Sequence, residues 1–119
     1  MNHSELNRYK EKGEKITCLT AYDASMASLI DNAGVDTILV GDSLGMVIQG
    51  AENTRSVTMQ DMMYHTSIVA SVCRQALVIA DMPFHSYDDP ESALNNAKSL
   101  IDQGAKMVKI EGGSEHTDV

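Results

Sequence analysis

Four short apolar runs set the frame of this chain: ITCLT (16–20), DTILVG (36–41), ALVIAD (76–81) and KMVKIE (106–111). Each has the length of a β-strand, and the stretches between them are too long for hairpins. From Ala24 to Ala33 apolar residues recur at helical spacing, after Asp23 as an N-cap and before Gly34 as a left-handed stop. Thr58 caps a helix running to about Cys73, with Gln60 and Asp61 favourable in its first turn. Asp89-Pro90-Glu91 starts another, which runs to about Gln103 and stops at Gly104. Residues 4–12 read as a short polar helix capped by Ser4, and 43–57 as a long polar loop.

Strands alternating with helices pair in parallel through right-handed crossovers. TILV and LVIA are apolar throughout, so both sheet faces are expected to be buried there. A weak internal echo, IDNAGVDTILVGD (30–42) against IDQGAKMVKIEGG (101–113), repeats helix end, strand and acidic loop. Two architectures satisfy this α/β pattern. One is a small doubly wound sheet; the other is part of a (β/α)8 TIM barrel, which takes about 250 residues when complete. Four units are half of eight, and GGSEHTDV after the last strand forms no covering helix, which reads as a truncation. The expectation is a single partial barrel domain over 1–119. Residues 1–14 form an N-terminal extension and 15–119 the first four βα units, with strands 1 and 4 as open edges.

Charge removes several functions. The net charge of −8 opposes binding to nucleic acid and anionic membranes, and there is neither a basic stripe nor an aromatic platform for bases. No run of about 18 apolar residues offers a membrane span. MNHSELNRYKEKGEK lacks the apolar centre of a secretory signal. Cys18 and Cys73 lie in apolar stretches without metal-binding spacing, so both are expected reduced and buried, as in a cytoplasm. The eight methionines read as core fillers.

Ligands of parallel α/β sheets gather at the carboxyl ends of strands. Strand 2 ends in Asp42-Ser43, strand 3 in Asp81, and strand 4 in Lys109-Ile110-Glu111. Three carboxylates on one rim repel unless a cation or proton lies between them. Oxygen donors in that number suit Mg²⁺, which takes one or two protein carboxylates and fills its other positions with water or substrate oxygens. Lys109 and Glu111 are two apart on a strand and so share a side; an anionic substrate could bridge the metal and Lys109. The plainer alternatives are a cap or turn role for each Asp, and a solvated pair for Lys109 and Glu111. The predicted helix starts stand well beyond Asp42 and Asp81, which fits capping poorly, whereas Asp23 sits directly at one. Among the histidines, His3 and His116 are expected to be solvated and His65 to pack within its helix. His85, near the rim, could touch substrate or lie on the loop surface. No Walker-type or G-x-G-x-x-G loop is present.

At these residues the chain resembles the ketopantoate hydroxymethyltransferase (3-methyl-2-oxobutanoate hydroxymethyltransferase) family of pantothenate biosynthesis. The matching segments are KITCLTAYDASMASLIDNAGVDTILVGDSLGMVIQG, TRSVTMQDMMYHT, IADMPFHSY and GAKMVKIEGG, from about residue 15 to 113. The resemblance implies a (β/α)8 barrel, one Mg²⁺ per subunit and a homo-oligomer. Asp42 and Asp81 would bind the metal, with Glu111 in the same site through water. Ser43 and Lys109 would hold the substrate carboxylate, so that Asp42, Ser43, Asp81 and Lys109 surround the 2-oxo acid. The family forms an enolate of 3-methyl-2-oxobutanoate and adds it to a one-carbon unit from 5,10-methylenetetrahydrofolate, giving 2-dehydropantoate. Its general base is a glutamate on a later strand, so no catalytic base is expected here, and the chain is expected to be an N-terminal piece inactive alone. Two further readings stand beside this one: a Mg²⁺-dependent enzyme of the isocitrate lyase and phosphoenolpyruvate mutase type, or a non-catalytic half barrel that self-associates through its open edges.

Overall fold

The computed structural model describes residues 1–119. Strands β1 (Cys18–Thr20), β2 (Thr37–Val40), β3 (Leu77–Asp81) and β4 (Met107–Lys109) form one sheet in the order β1-β2-β3-β4. All three pairings are parallel; Thr20 aligns with Leu39, Leu39 with Ile79, and Ile79 with Met107. The apolar runs TILV and LVIA are the two central strands and are largely buried, as continuous apolar sequence requires. All three residues of edge strand β1 are exposed, and those of β4 are half-buried.

Helices α2 (Ala24–Asn32), α4 (Met59–Val72) and α5 (Pro90–Asp102) connect the strands, with α2 packed on α4 and α4 on α5. Strand order that follows chain order, with neighbouring crossover helices, has no reversal point, so the sheet is of barrel type and not doubly wound. Ile38, Val40, Val78 and Ala80 alternate along the central strands and join the helix-side core with Ala27, Ile30, Met62, Val69, Ala93 and Leu100. Leu100 is fully buried; burial of such a side chain contributes about 1.5–3 kcal/mol.

The caps at Asp23, Thr58 and Asp89 form as expected. Each side chain accepts the main-chain N–H three residues on, and Asp61 returns the bond to Thr58 in a capping box. Gly34 follows α2 at φ 82°. Four expectations need correction. Asn2, not Ser4, caps α1 (His3–Lys12), because Glu5 lies three residues beyond it and completes a capping box. The loop 43–57 contains a short helix, α3 (Leu44–Val47), which buries Leu44; it begins two residues after Asp42, so Asp42 lies in the turn that enters a helix and not well short of one. Cys18 is exposed because β1 is an edge strand, and Cys73 is half-buried at the end of α4. Of the methionines, Met62 and Met82 are buried, while Met26 and Met46 face outward.

Asp31 ties two elements together at the end of the sheet opposite the strand carboxyl termini. Asp31, 2% exposed on α2, accepts the main-chain N–H groups of Arg74, Gln75 and Ala76 at 2.7–3.0 Å. It thereby fixes the turn that feeds β3. No helix is long and apolar enough to cross a membrane.

Candidate active site at the carboxyl rim of the sheet

β3 ends on Asp81 and β4 on Lys109, and parallel register sets the two residues opposite each other. The Lys109 ammonium donates to Asp81 Oδ1 at 2.5 Å and to Glu111 Oε1 at 3.2 Å. Asp81 Oδ2 accepts the main-chain N–H of Asp42 at 3.0 Å, which ties the end of β2 to the end of β3. Asp81 is therefore neither a cap nor a turn residue. Lys109 and Glu111 do pair, on the shared side that their spacing implied, but Lys109 also reaches inward to the buried Asp81.

The electrostatics follow from this crowding. Burial, and after it the charges of Asp81 and Glu111, holds the Asp42 carboxyl above its ordinary value; Lys109 and Thr54 pull the other way. Burial pulls the Lys109 ammonium down. Its hydrogen bonds and charge contacts with Asp81 and Glu111 outweigh that, and the net direction is upward.

Gly41 leaves room for these groups. A Cβ at Gly41 would stand 2.9 Å from Ser43 Oγ and 3.4 Å from Asp81 Oδ2. The donors are hard oxygens of the kind Mg²⁺ selects, yet no three His, Cys, Asp or Glu side chains stand together at cation-binding spacing. Asp81 and Glu111 turn instead toward the Lys109 ammonium. The donor set fits an ion that takes two protein carboxylates and completes its sphere with water or substrate oxygens.

Two tyrosines absent from the sequence expectations complete the rim. The Tyr22 hydroxyl lies 2.7 Å from Ser43 Oγ, so the end of β1 joins the other three. The Tyr87 hydroxyl donates to the carbonyl of Glu111 at 3.0 Å; burial, then Glu111, pushes its phenol upward. The adjacency of Tyr22 to Asp23 after a strand was the available signal, since strand-following residues populate this rim. His65 does more than pack within α4: its Nδ1 meets the Tyr22 carbonyl at 2.7 Å. His116 packs edge-on against Tyr87 rather than standing free in solvent. His85 is exposed, at φ 64°, and pairs with Asp88, on the loop surface. His3 is exposed.

A parallel sheet in chain order, with one face under helices and a carboxylate-rich rim at the strand ends, defines a protein of the (β/α)-barrel class. Solved structures agree. Phosphoenolpyruvate phosphomutase from Streptomyces platensis subsp. rosaceus superposes with TM-score 0.75 at 19% identity, over 92% of this chain and 38% of that one. A phosphonopyruvate hydrolase, solved with oxalate and Mg²⁺, gives 0.73 at 16% identity, over 91% and 38%. At such identities the likeness is one of fold.

Sequence defines the narrower group: the chain belongs to the ketopantoate hydroxymethyltransferase family, whose profile matches residues 1–119. The 3-methyl-2-oxobutanoate hydroxymethyltransferase of Ruthia magnifica subsp. Calyptogena magnifica is 61% identical over 116 residues, covering 98% of this chain and 45% of the relative. That of Methylococcus capsulatus is 58% identical over 116 residues, 97% of this chain and 43% of the relative. The chain thus spans somewhat under half the length of these curated relatives.

Proposed function

We propose that these 119 residues supply the metal-binding and 2-oxo-acid-binding part of a hydroxymethyltransferase. The reaction takes 3-methyl-2-oxobutanoate, 5,10-methylenetetrahydrofolate and water to 2-dehydropantoate and tetrahydrofolate. The observation that carries the reading is the junction of Asp42, Asp81 and Lys109 at three adjoining strand ends, in a chain whose relatives bear that enzyme's name.

Asp42 and Asp81 would hold Mg²⁺, and Glu111 would belong to the same site through water. A divalent cation held there would supply Lewis-acid polarisation of the keto group, which favours loss of the proton at C3. Ser43 and Lys109 hold the carboxylate of the 2-oxo acid. The fixed charge of Lys109 orients the substrate and opposes the negative charge that develops as the C–H bond breaks. None of these residues is free to be the general base, which we assign outside this chain, together with the folate-facing wall. We further propose a homo-oligomeric, cytoplasmic enzyme.

The fold neighbours keep a lyase or mutase reading in view, but their identities of 15–20% carry no function, and the sequence relatives favour the transferase. A chimera tests both, joining these residues to the remainder of the Ruthia magnifica relative. We expect Mg²⁺- and folate-dependent consumption of 3-methyl-2-oxobutanoate by the chimera, and none by the 119-residue chain alone. Cleavage of a hydroxy-diacid by the chimera would establish the lyase reading, and an untouched 2-oxo acid would refute the transferase.

A further inference from the structure

We infer that Tyr22 is a positioning residue that makes Ser43 a hydrogen-bond donor toward the substrate anion; this rests on the proposed binding of the 2-oxo acid carboxylate at Ser43. The two hydroxyl oxygens are 2.7 Å apart and half-buried. Ser43 stands at the N-cap position of α3 but makes no side-chain capping bond, so its hydroxyl is committed to Tyr22 and the rim.

Each hydroxyl has one proton. If Ser43 donated to Tyr22, it would present lone pairs to the rim and repel an anion. If Tyr22 donates to Ser43, the serine proton is released toward the rim, and the aligned pair strengthens the outward bond. An anionic ligand at Ser43 therefore selects the order Tyr22 to Ser43 to carboxylate.

Tyr22 is held in place for this. Its carbonyl can only accept, so His65 must carry its proton on Nδ1 in the 2.7 Å bond between them. That bond ties the end of β1 to α4. The missing side chain at Gly41 leaves the space in which Ser43 Oγ takes up this orientation.

A double-mutant cycle in the chimera tests the inference. With Mg²⁺ present, Tyr22→Phe should raise both KM and the calorimetric Kd for 3-methyl-2-oxobutanoate about tenfold, leaving kcat and the folate KM within about twofold. On a Ser43→Ala background the same substitution should change nothing further. The tyrosine Raman doublet, as the difference between wild type and Ser43→Ala with Mg²⁺ and 3-methyl-2-oxobutanoate bound at saturation, should show that the phenol donor of the wild type is lost with the serine. Unchanged oxo-acid affinity in Tyr22→Phe, an equal loss on both backgrounds, or a phenol-acceptor signature would each overturn the inference. A wild-type chimera that fails to bind the 2-oxo acid would instead bring down the proposed function, and this inference with it.

Discussion

Asp81 and Lys109 face each other in register across β3 and β4, and their side chains close the gap at 2.5 Å. Asp81 is buried and also bears the Asp42 main-chain N–H on its other oxygen. Asp81→Asn keeps the shape and removes the charge. In the chimera it should weaken Mg²⁺ and 2-oxo acid binding together, each by tenfold or more in calorimetry. Stability should fall by about 1–3 kcal/mol, the usual cost of disturbing a charged, buried hydrogen-bond acceptor. Unchanged affinity for both ligands would remove Asp81 from the site.

Asp31 gives a pH dependence with a definite sign. Burial pushes its carboxyl upward, but the three N–H groups of Ala76, Arg74 and Gln75 outweigh burial, so the folded value lies below the ordinary one. A depressed carboxylate stabilises the fold above its unfolded pKa, and that stabilisation fades as pH falls through the folded value. Asp31→Asn should therefore cost about 2 kcal/mol in urea melts at neutral pH. The gap from wild type should narrow on the acid side of the carboxylate range. A gap that stayed constant would disprove the linkage.

Gly41→Ala separates binding from folding. Its new methyl group would stand 2.9 Å from Ser43 Oγ, and that hydroxyl can swing away at little structural cost. The expected result is an oxo-acid affinity lowered about tenfold, with a melting temperature within a few degrees of wild type. Normal affinity would show that the Ser43 orientation is not needed.

The two thiols should differ sharply in reactivity. Cys18 is exposed on the edge strand, whereas burial, with Asp31 adding to it, pushes the Cys73 thiol up to about 11. Alkylation at mildly alkaline pH, followed by peptide mass spectrometry, should find Cys18 modified first, because the thiolate is the reactive form. Preferential labelling of Cys73 would contradict its placement.

Open edges predict association. Leu19 of β1, with Met26, Val47 and Ile48 beside it, and Leu94 near β4 expose apolar surface next to unpaired strand groups. The 119-residue chain alone should sediment as concentration-dependent oligomers, and Leu19→Lys should reduce them. A discrete monomer at all concentrations would count against these edges as sticky.

Much of this was legible in the sequence because local chemistry decides it. Asp23, Thr58 and Asp89 are short polar side chains set just before helical periodicity, and they cap. TILV and LVIA cannot lie on a wet face, and they form the sheet centre. What escaped depends on partners distant in sequence. The exposure of Cys18 follows from which strand lies at the edge, and the bond from Tyr22 to Ser43 crosses 21 positions. Choosing between Asn2 and Ser4 as a cap turned on where Glu5 lay, a signal that the sequence did contain. The rim carboxylates were recognisable as strand-end residues, but that Lys109 would bridge Asp81 and Glu111 required the register itself.

The strands lie in the order in which they are made, and each adds its terminal residue beside the one before. Such a sheet lengthens at a flank without rewiring what is already laid down. On the proposed function, a hold on a 2-oxo acid and its metal ion at this rim would stay intact whatever is added at the β4 flank. On that reading, exchanging what is added there would alter the reaction performed on a substrate held in the same way.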